Sequence, residues 1–334
     1  MKVALLTPTF SAYSGIDRLV AQEADEHLAQ GDDVTIVALR ATMKSRARIV
    51  ELGMPRSPTM ERLYRLFFFL DFAKVRKAAA MLKGYDTVIS FFYPMNLIAS
   101  RAKKQYGIRY VYYNPGVADA RLFSSIHEKV SIGLFRLFTR MSMRDADEII
   151  SISKFLCDEL KRETGRDSTV KYPAIDKKRF RIGLSGAAIR KKHNLGSAPV
   201  LLFVGRVSPH KGVHLLLQAF MLVKEKFPDA RLLIVGKQTF GSYMKKLKSM
   251  AGSSVEFVGF VEEDELPQYY AACSLYVTCT MWEGFDIPVV EAQACGKKVV
   301  AFDVGAHREI VRKGALVEPG NVGKFANAVI RLMD

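Results

Sequence analysis

The strongest constraint on the fold is a repeated alternation of short apolar runs with segments whose apolar residues recur at helical spacing. KVALLTPTF is typical of a buried strand stopped by Pro8. The segment that follows is typical of a helix ending at Gly31, and DVTIVALR is typical of a second strand. A strand, a helix and a strand in this order form a βαβ unit, whose strands lie parallel. Further strands are predicted at DTVISFF, RYVYYN and EIISIS.

The alternation lapses over residues 172–198, which are polar, basic and rich in Gly and Ser, and then restarts. PVLLFVGRV predicts a strand and GVHLLLQAFMLVKEKF a helix, and further strands are predicted at ARLLIVG, VEFVGFV, LYVTCT and KVVAFDV. We therefore predict two Rossmann-like, doubly wound α/β domains, residues 1–172 and 173–334. Their parallel sheets are expected to face a central cleft at the carboxyl ends of the strands, where such sheets bind ligands.

Composition supports a folded two-domain protein, since 334 residues with 49% hydrophobic and 25% charged residues suffice for two cores. The four cysteines form no CxxC pair and show no metal-ligand spacing with the six histidines. We therefore expect reduced thiols in a cytoplasmic protein, with no metal site and no disulfide framework. The sequence contains no signal-peptide pattern and no apolar run long enough to span a membrane. We therefore expect neither a signal peptide nor a transmembrane segment.

The formal net charge of +16 suggests contact with nucleic acid, anionic lipid or a phosphorylated ligand. Residues 40–83 carry eleven basic and three acidic side chains, and RLYRLFFFLDFAKVRK interleaves basic with aromatic residues. This segment fits a core-packing helix with solvated cations, or a basic amphipathic surface that contacts an anionic membrane. Nucleic acid is not expected as a partner, because no helix-turn-helix, zinc-finger or RNP pattern accompanies the charge.

Two glycine-bearing turns are candidate phosphate sites. Gly15 lies just ahead of the first helix, where the backbone can approach a phosphate, although a simple turn glycine fits equally well. The turn lacks GxGxxG, which argues against a nicotinamide dehydrogenase. In LLFVGRVSPHKG, Arg206 follows a strand and Lys211 begins the next helix. Two such cations suit a diphosphate. Two isolated basic side chains are, however, also typical of a solvated protein surface.

Two glutamates, Glu283 and Glu291, lie eight positions apart in WEGFDIPVVEAQACG. Because Pro288 is tolerated at the start of a helix, Glu283 is predicted in the preceding loop and Glu291 about one turn into the helix. Carboxylates accept hydrogen bonds from vicinal hydroxyls, whereas the N–H groups of Gly284 and Phe285 at the helix start suit phosphate oxygens. The pattern predicts a nucleotide-sugar site. The alternative is that one glutamate is simply stabilised by the helix dipole and the other is an unrelated exposed glutamate.

These motifs together resemble glycosyltransferase family 4, whose members are retaining enzymes of the GT-B fold. The similarity rests on E-x7-E, on G-R-x4-K-G and, more weakly, on Ser14–Gly15, EIISISKF, YPAIDKKRF and GALVEPGN. It implies transfer of a hexose from a nucleotide-sugar to a lipid-linked or polysaccharide acceptor, with no cofactor or metal. YPAID is similar to an element common among mannosyltransferases of the family, which favours GDP-mannose slightly over a UDP-sugar.

The resemblance also implies residue roles. Glu283 would assist at the reacting centre and Glu291 would bind the ribose hydroxyls, while Arg206 and Lys211 would hold the diphosphate and stabilise its charge as it leaves. The implied donor-binding residues are Gly15, Arg206, Lys211, Glu283, Gly284, Phe285, Asp286 and Glu291, of which Glu283, Lys211 and Arg206 are catalytic. The acceptor is expected to attack on the face from which the leaving group departs, so no protein nucleophile is needed.

Two departures from the family pattern are evident. Asn114 stands where a histidine beside the sugar is expected; asparagine can hydrogen-bond a sugar but cannot shuttle a proton, and His127 is expected on the surface or in packing. Family members usually continue into a helix that crosses to the first domain, whereas this sequence ends at RLMD, so a looser hinge is expected. A non-catalytic or weakly active protein that binds sugar-nucleotides or a membrane surface, or another GT-B activity such as a nucleotide-sugar epimerase, therefore stays an alternative.

Overall fold

The structure is a computed structural model that describes residues 1–11, 15–122, 126–238 and 241–334. Ser14, which belongs to the family resemblance, and the side chain of His127 lie outside the described part. The chain forms two compact units: the first contains Met1–Ala120 and residues 126–173, and the second contains residues 121–122 and Ala174–Asp334. Within the described ranges, no helix combines the length and apolar character needed to cross a bilayer.

The first unit contains a seven-stranded parallel sheet. Its strands are β1 (Lys2–Phe10), β2 (Asp33–Ala41), β3 (Arg48–Glu51), β4 (Thr87–Ser90), β5 (Arg109–Asn114), β6 (Glu148–Ser151) and β7 (Thr169–Val170). Its helices are α1 (Gly15–Ala29), α2 (Pro58–Leu66), α3 (Phe72–Met81), α4 (Met95–Tyr106), α5 (Ile126–Met143) and α6 (Lys154–Thr164), with a 3-10 turn at Phe68–Leu70. A second 3-10 turn, Ala120–Leu122, lies at the boundary of the two units in the chain. The strand order is β3-β2-β1-β4-β5-β6-β7, so the topology reverses beside β1.

The second unit repeats this plan with six parallel strands. They are β8 (Val200–Val204), β9 (Arg231–Val235), β10 (Val255–Gly259), β11 (Leu275–Thr278), β12 (Lys298–Phe302) and β13 (Gly314–Val317). The helices are α7 (Ala187–Lys192), α8 (Val213–Lys226), α9 (Gly241–Met250), α10 (Leu266–Ala272), α11 (Ile287–Ala294), α12 (His307–Ile310) and α13 (Val322–Met333), with a 3-10 turn at Pro209–Lys211. The order β10-β9-β8-β11-β12-β13 reverses beside β8, and such a switch point is where open α/β sheets bind ligands.

The predicted α/β class with two doubly wound parallel sheets is confirmed, and two local predictions are wrong. Pro8 lies inside β1 instead of ending it, because pairing of β1 with β4 stops at Leu6 and the missing N–H breaks no bond there. Part of the predicted connection, residues 187–192, forms α7. This helix buries one apolar side chain, that of Ile189, which is too few for a helical period to be visible in the sequence.

Candidate active site

The site begins where β8 ends at Val204 and the chain turns toward α8. Gly212, between the 3-10 turn and α8, has a φ of 63°, and a Cβ added there would lie 1.9 Å from the carbonyl oxygen of Cys279. Only glycine therefore lets the start of α8 approach the end of β11 this closely. The carbonyl of His210 binds the same segment, since it accepts from the Met281 N–H at 2.8 Å and from the Thr280 hydroxyl at 3.3 Å.

The His210 side chain is buried and neutral. Burial, and then the charges of Lys211 and Arg206, lower the pKa of His210 to about 3. Its ring nitrogen Nδ1 lies 3.2 Å from the Ser208 hydroxyl. The cations of this turn are therefore Arg206 and Lys211 at neutral pH, with His210 serving to join the turn to β11.

Lys211 forms an ion pair with Glu283, and the two side chains are only 14% and 16% exposed. Burial lowers the pKa of Lys211, but the charges of Glu283 and Asp286 outweigh this effect and raise the pKa above its ordinary value. The ammonium group is therefore charged inside a largely enclosed site. Part of the Arg206 surface is exposed, yet the surrounding protein desolvates its guanidinium and lowers its pKa, against the charge of Glu283. The guanidinium forms no ion pair with any residue that the structure describes. It is accordingly available to an anionic ligand.

The backbone of the Glu283 loop contacts the turn that precedes α12. The Ala306 N–H donates to the Glu283 carbonyl at 3.2 Å. Gly305 has a φ of 54°, and a Cβ there would lie 2.0 Å from the same carbonyl oxygen. Within the described part of the chain, the N–H groups of Gly284 and Asp286 have no acceptor. The loop thus offers two backbone donors close to a carboxylate and an ammonium group.

Glu291 lies in α11, as predicted, and is 2% exposed. The hydroxyl of Tyr270 on α10 donates to Glu291 Oε2 at 2.7 Å, and Tyr270 is itself fully buried. This hydrogen bond fixes the orientation of the carboxylate before any ligand arrives. Tyr270 was not among the predicted site residues, because no spacing rule connects it with a helix twenty-one positions further along the chain.

Asp286 directs its carboxylate inward, away from solvent. Its Oδ2 lies 3.0 Å from His307 Nε2, and the two side chains are 2% and 0% exposed. His307 Nδ1 lies 2.6 Å from the Phe302 carbonyl oxygen. If Asp286 contacts the nucleotide-sugar, it therefore does so through its backbone N–H group, and this contact stays a prediction. His307 was not predicted, and nothing in the sequence marks it as a partner of Asp286.

In the first unit, Gly15 is the first residue of α1, beside a buried carboxylate that was not predicted. Asp17 is 1% exposed, and it accepts hydrogen bonds from the Ser11 N–H and the Ser11 hydroxyl, both at 2.8 Å. Burial raises the pKa of Asp17 to about 6, although these hydrogen bonds oppose the shift. Asp17 thus ties the residue after β1 to the first turn of α1, next to the predicted phosphate-binding glycine.

Asn114 is the last residue of β5, and both ends of its amide bind the protein. Nδ2 donates to the Ser151 hydroxyl at 3.1 Å, and Oδ1 accepts from the Gly116 N–H at 3.2 Å. The side chain therefore shapes the turn that follows β5. Its predicted contact with sugar or acceptor stays a prediction.

The structure gathers most of the predicted site residues at the switch point of the second sheet, and these are Arg206, Lys211, Glu283, Gly284, Phe285, Asp286 and Glu291. Gly15 and Asn114 belong to the first unit. Among the described residues, no group of three or more His, Cys, Asp or Glu side chains is placed to hold a metal ion. Cations, backbone donors and carboxylates together suit a ligand with phosphates and vicinal hydroxyls.

This arrangement of two Rossmann-like parallel-sheet units defines a GT-B protein. Residues 13–179 match the family described as Glycosyltransferase Family 4, and residues 198–334 match Glycosyl transferases group 1. The chain belongs to glycosyltransferase family 4, as the E-x7-E and G-R-x4-K-G motifs predict.

Named relatives match mainly over part of their length. The D-inositol 3-phosphate glycosyltransferase 2 of Catenulispora acidiphila is 34% identical over 207 residues, which cover 57% of this chain and 48% of the relative. A GDP-mannose-dependent phosphatidylinositol monomannoside mannosyltransferase of Corynebacterium glutamicum is 30% identical over 214 residues, 59% of this chain and 56% of the relative. The structure of Anabaena HepE with UDP and glucose superimposes with a TM-score of 0.79 at 22% identity, covering 99% of this chain and 89% of HepE.

Proposed function

We propose that the protein is a retaining glycosyltransferase that moves a hexose from a nucleotide-sugar to a lipid-linked or polysaccharide acceptor. The observation that carries the proposal is the Lys211–Glu283 ion pair at the switch point of the second sheet, together with Arg206 after β8 and the oriented Glu291 on α11.

In this proposal each group of the site binds one part of the donor. Glu291, held by Tyr270, accepts hydrogen bonds from the ribose hydroxyls. Arg206 and Lys211 bind the diphosphate, for which the ammonium group of Lys211 still has two donors besides the one used by Glu283. The N–H groups of Gly284 and Asp286 hold hydroxyls of the sugar, beside the Glu283 carboxylate.

The chemistry follows from this placement. The bond between the anomeric carbon and the phosphate oxygen breaks, and the acceptor oxygen bonds to the same carbon from the same face. The acceptor hydroxyl proton passes to the departing phosphate oxygen, so protons and charges balance without a protein nucleophile. Lys211 and Arg206 stabilise the charge that grows on the diphosphate, and Glu283 stabilises the positive charge that grows on the sugar ring.

For the donor we favour GDP-mannose over a UDP-sugar. The YPAID element after β7 supports this choice, as does the GDP-mannose dependence in the name of the Corynebacterium relative. A UDP-sugar stays the alternative donor.

Thermal unfolding with a panel of GDP, UDP, GDP-mannose, UDP-glucose, UDP-N-acetylglucosamine and NAD tests the donor. A ligand at about a hundred times its dissociation constant should add roughly 2.7 kcal/mol to the free energy of unfolding of the wild type. Glu291→Gln should lose most of this increment for the whole nucleotide family that stabilises the wild type, because an amide replaces the carboxylate that binds the ribose. Comparing each variant with and without ligand removes the effect of the mutation on the free protein.

A matched control is Glu225→Gln, which alters an exposed glutamate near the far end of α8 and should leave the ligand increment unchanged. Equal increments in wild type and Glu291→Gln would refute the ribose role. Donor binding without transfer to any acceptor, and without donor hydrolysis, would favour the non-catalytic alternative. An altered nucleotide-sugar formed in the absence of acceptor would instead favour an epimerase.

We further propose a peripheral contact with an anionic membrane, through a surface that we name the apolar stripe. It consists of Met60, Leu63, Phe67, Leu70 and Phe72, which are 43–73% exposed and extend from α2 through the 3-10 turn to the first residue of α3. The first four recur every three or four residues and Phe72 follows two residues later, and all five are exposed to solvent although Phe68 between them is buried.

The neighbouring α5 extends the same surface. Its residues Ile126, Val130, Leu137 and Met141 are 49–76% exposed, and the Phe69 and Phe138 rings, 4.9 Å apart, join the two elements. Exposed cations at Arg62, Arg76 and Lys77 accompany the apolar side chains. Apolar residues with basic neighbours are the combination that binds an anionic bilayer. The cytoplasmic location predicted from the sequence is part of this proposal.

Sedimentation with phosphatidylglycerol vesicles tests the apolar stripe. Wild-type protein should sediment at low salt and less at high salt, and Phe72→Asp should lower the partition coefficient about tenfold or more, since a buried Phe contributes about 1.5–3 kcal/mol. The control is Met221→Asp, which alters a residue 55% exposed on α8 of the other unit. No binding at low salt would refute the contact, and sedimentation without vesicles would assign the stripe to self-association.

A further inference from the structure

The conformation of Asp286 is uncommon for a residue with a Cβ. Asp286 has a φ of 68° and a ψ of 70°, a left-handed conformation that residues with a Cβ adopt at a cost. Among the described residues only one other non-glycine residue, Asn194, has a positive φ. The backbone at Asp286 sets the direction of its own N–H group and begins α11, which carries Glu291. An interaction that holds this residue therefore controls how the loop presents its donors.

His307 supplies that interaction from a different element. Its ring is fully buried between two acceptors, the Asp286 carboxylate at 3.0 Å and the Phe302 carbonyl at 2.6 Å. A neutral imidazole has one N–H group, so either tautomer would direct a nitrogen lone pair at an oxygen. Only the imidazolium, with two N–H groups, satisfies both contacts. The ring therefore bonds Asp286 to the end of β12 as a charged group.

We propose that His307 is a positioning residue for donor binding, which holds Asp286 in its left-handed conformation so that the loop N–H groups and Glu283 face the sugar. This inference rests on the donor role of that loop in the proposed function. His307 also begins α12, next to Ala306, whose N–H holds the Glu283 carbonyl, so one turn fixes both ends of the segment from Glu283 to Asp286.

The charged groups around His307 determine how the contact depends on pH. Burial lowers the pKa of His307, but the hydrogen bond and charge of Asp286, the Phe302 carbonyl and the charge of Glu283 outweigh it and raise the pKa above its ordinary value. Lys211 acts on the same cluster from the 3-10 turn and lowers the pKa of Asp286, against its burial. The stabilisation by the imidazolium is complete below the unfolded-state pKa and is lost as pH rises through the higher folded-state pKa.

Two substitutions of His307 separate its contacts. His307→Asn can place an amide N–H near the Phe302 carbonyl but cannot reach Asp286, whereas His307→Gln can reach Asp286 without the charge. We expect the KM for GDP-mannose or UDP-glucose to rise about tenfold in His307→Asn and less in His307→Gln, with a smaller change in kcat. Asp286→Gly should restore most of the KM in His307→Asn, since glycine adopts the left-handed conformation without the contact. The pH dependence of KM should be lost in His307→Gln.

Hydrogen exchange of residues 283–290 in the free protein keeps the test independent of the donor. His307→Asn should exchange faster in this segment than wild type, with His307→Gln between them. The inference is overturned if exchange in this segment is unchanged, or if Asp286→Gly fails to restore KM in His307→Asn, because a purely structural role gives no such rescue. If the wild type binds neither donor, the proposed function is wrong. The order of the hydrogen-exchange rates in wild type, His307→Gln and His307→Asn then decides the role of His307 alone.

Discussion

Glu283→Gln is expected to reduce kcat for sugar transfer by roughly 10²–10³-fold, the loss typical of removing one preorganised electrostatic group from a reacting centre. The substitution keeps the size of the side chain and leaves an amide oxygen that accepts from Lys211, so the loop should hold its position. In the proposed complex it removes the negative charge beside the reacting carbon of the sugar. The KM for the donor should change much less, because the diphosphate and ribose contacts are unaltered. Transfer of a radiolabelled hexose to acceptor extracts, at saturating donor, measures the effect.

Glu318→Gln is a suitable control, because Glu318 is an exposed glutamate that pairs with Lys324 near the start of α13. It should retain wild-type kcat. Equal loss in both variants would indicate a general effect on stability, which thermal unfolding of the free proteins would reveal. Wild-type transfer by Glu283→Gln would remove Glu283 from the chemistry.

Most of the fold could be predicted from the sequence, because buried parallel strands leave continuous apolar runs and the helices between them leave a helical period. The elements without such a signal were missed. The missed edge strands β3, β7 and β13 have four, two and four residues and bury at most one of them, so they leave no long buried apolar run. The helix α7 buries a single apolar residue. Edge strands and short helices depend on packing between elements, which a local pattern does not contain.

The site was predictable where its residues are close in the sequence or carry a familiar spacing. Glu283 and Glu291 are placed by one loop and one helix, and a helix start next to Pro288 follows from local rules. The supports of these residues come from other elements, as with Tyr270 beneath Glu291 and His307 beneath Asp286. Such contacts form only when the strands assemble into a sheet. Tyr270 and His307 could therefore not be predicted from the spacing of residues in the sequence.

The second large effect is expected for Lys211→Met, which removes a charge while keeping much of the apolar length of the side chain. The loss concerns both the diphosphate and Glu283, so kcat/KM should fall by roughly 10²–10³-fold and the donor KM should rise. Arg206→Met should have a smaller effect, because Arg206 forms no ion pair with a described residue, whereas Lys211 also pairs with Glu283. Lys248→Met, at an exposed position of α9, serves as the control. Initial rates at several donor concentrations separate the two kinetic constants.

Combining Lys211→Met with Glu283→Gln tests whether the ion pair acts as one unit. Lys211→Met alone leaves the Glu283 carboxylate, 16% exposed, without its cation, and this carboxylate would then repel the diphosphate. In the double variant that repulsion is gone, so its kcat/KM should lie well above the product of the two single losses. Independent roles would give losses that multiply. A multiplicative result would show that Lys211 acts on the diphosphate alone, whereas sub-multiplicative losses would show that the pair in the free protein also prepares Glu283 for the sugar.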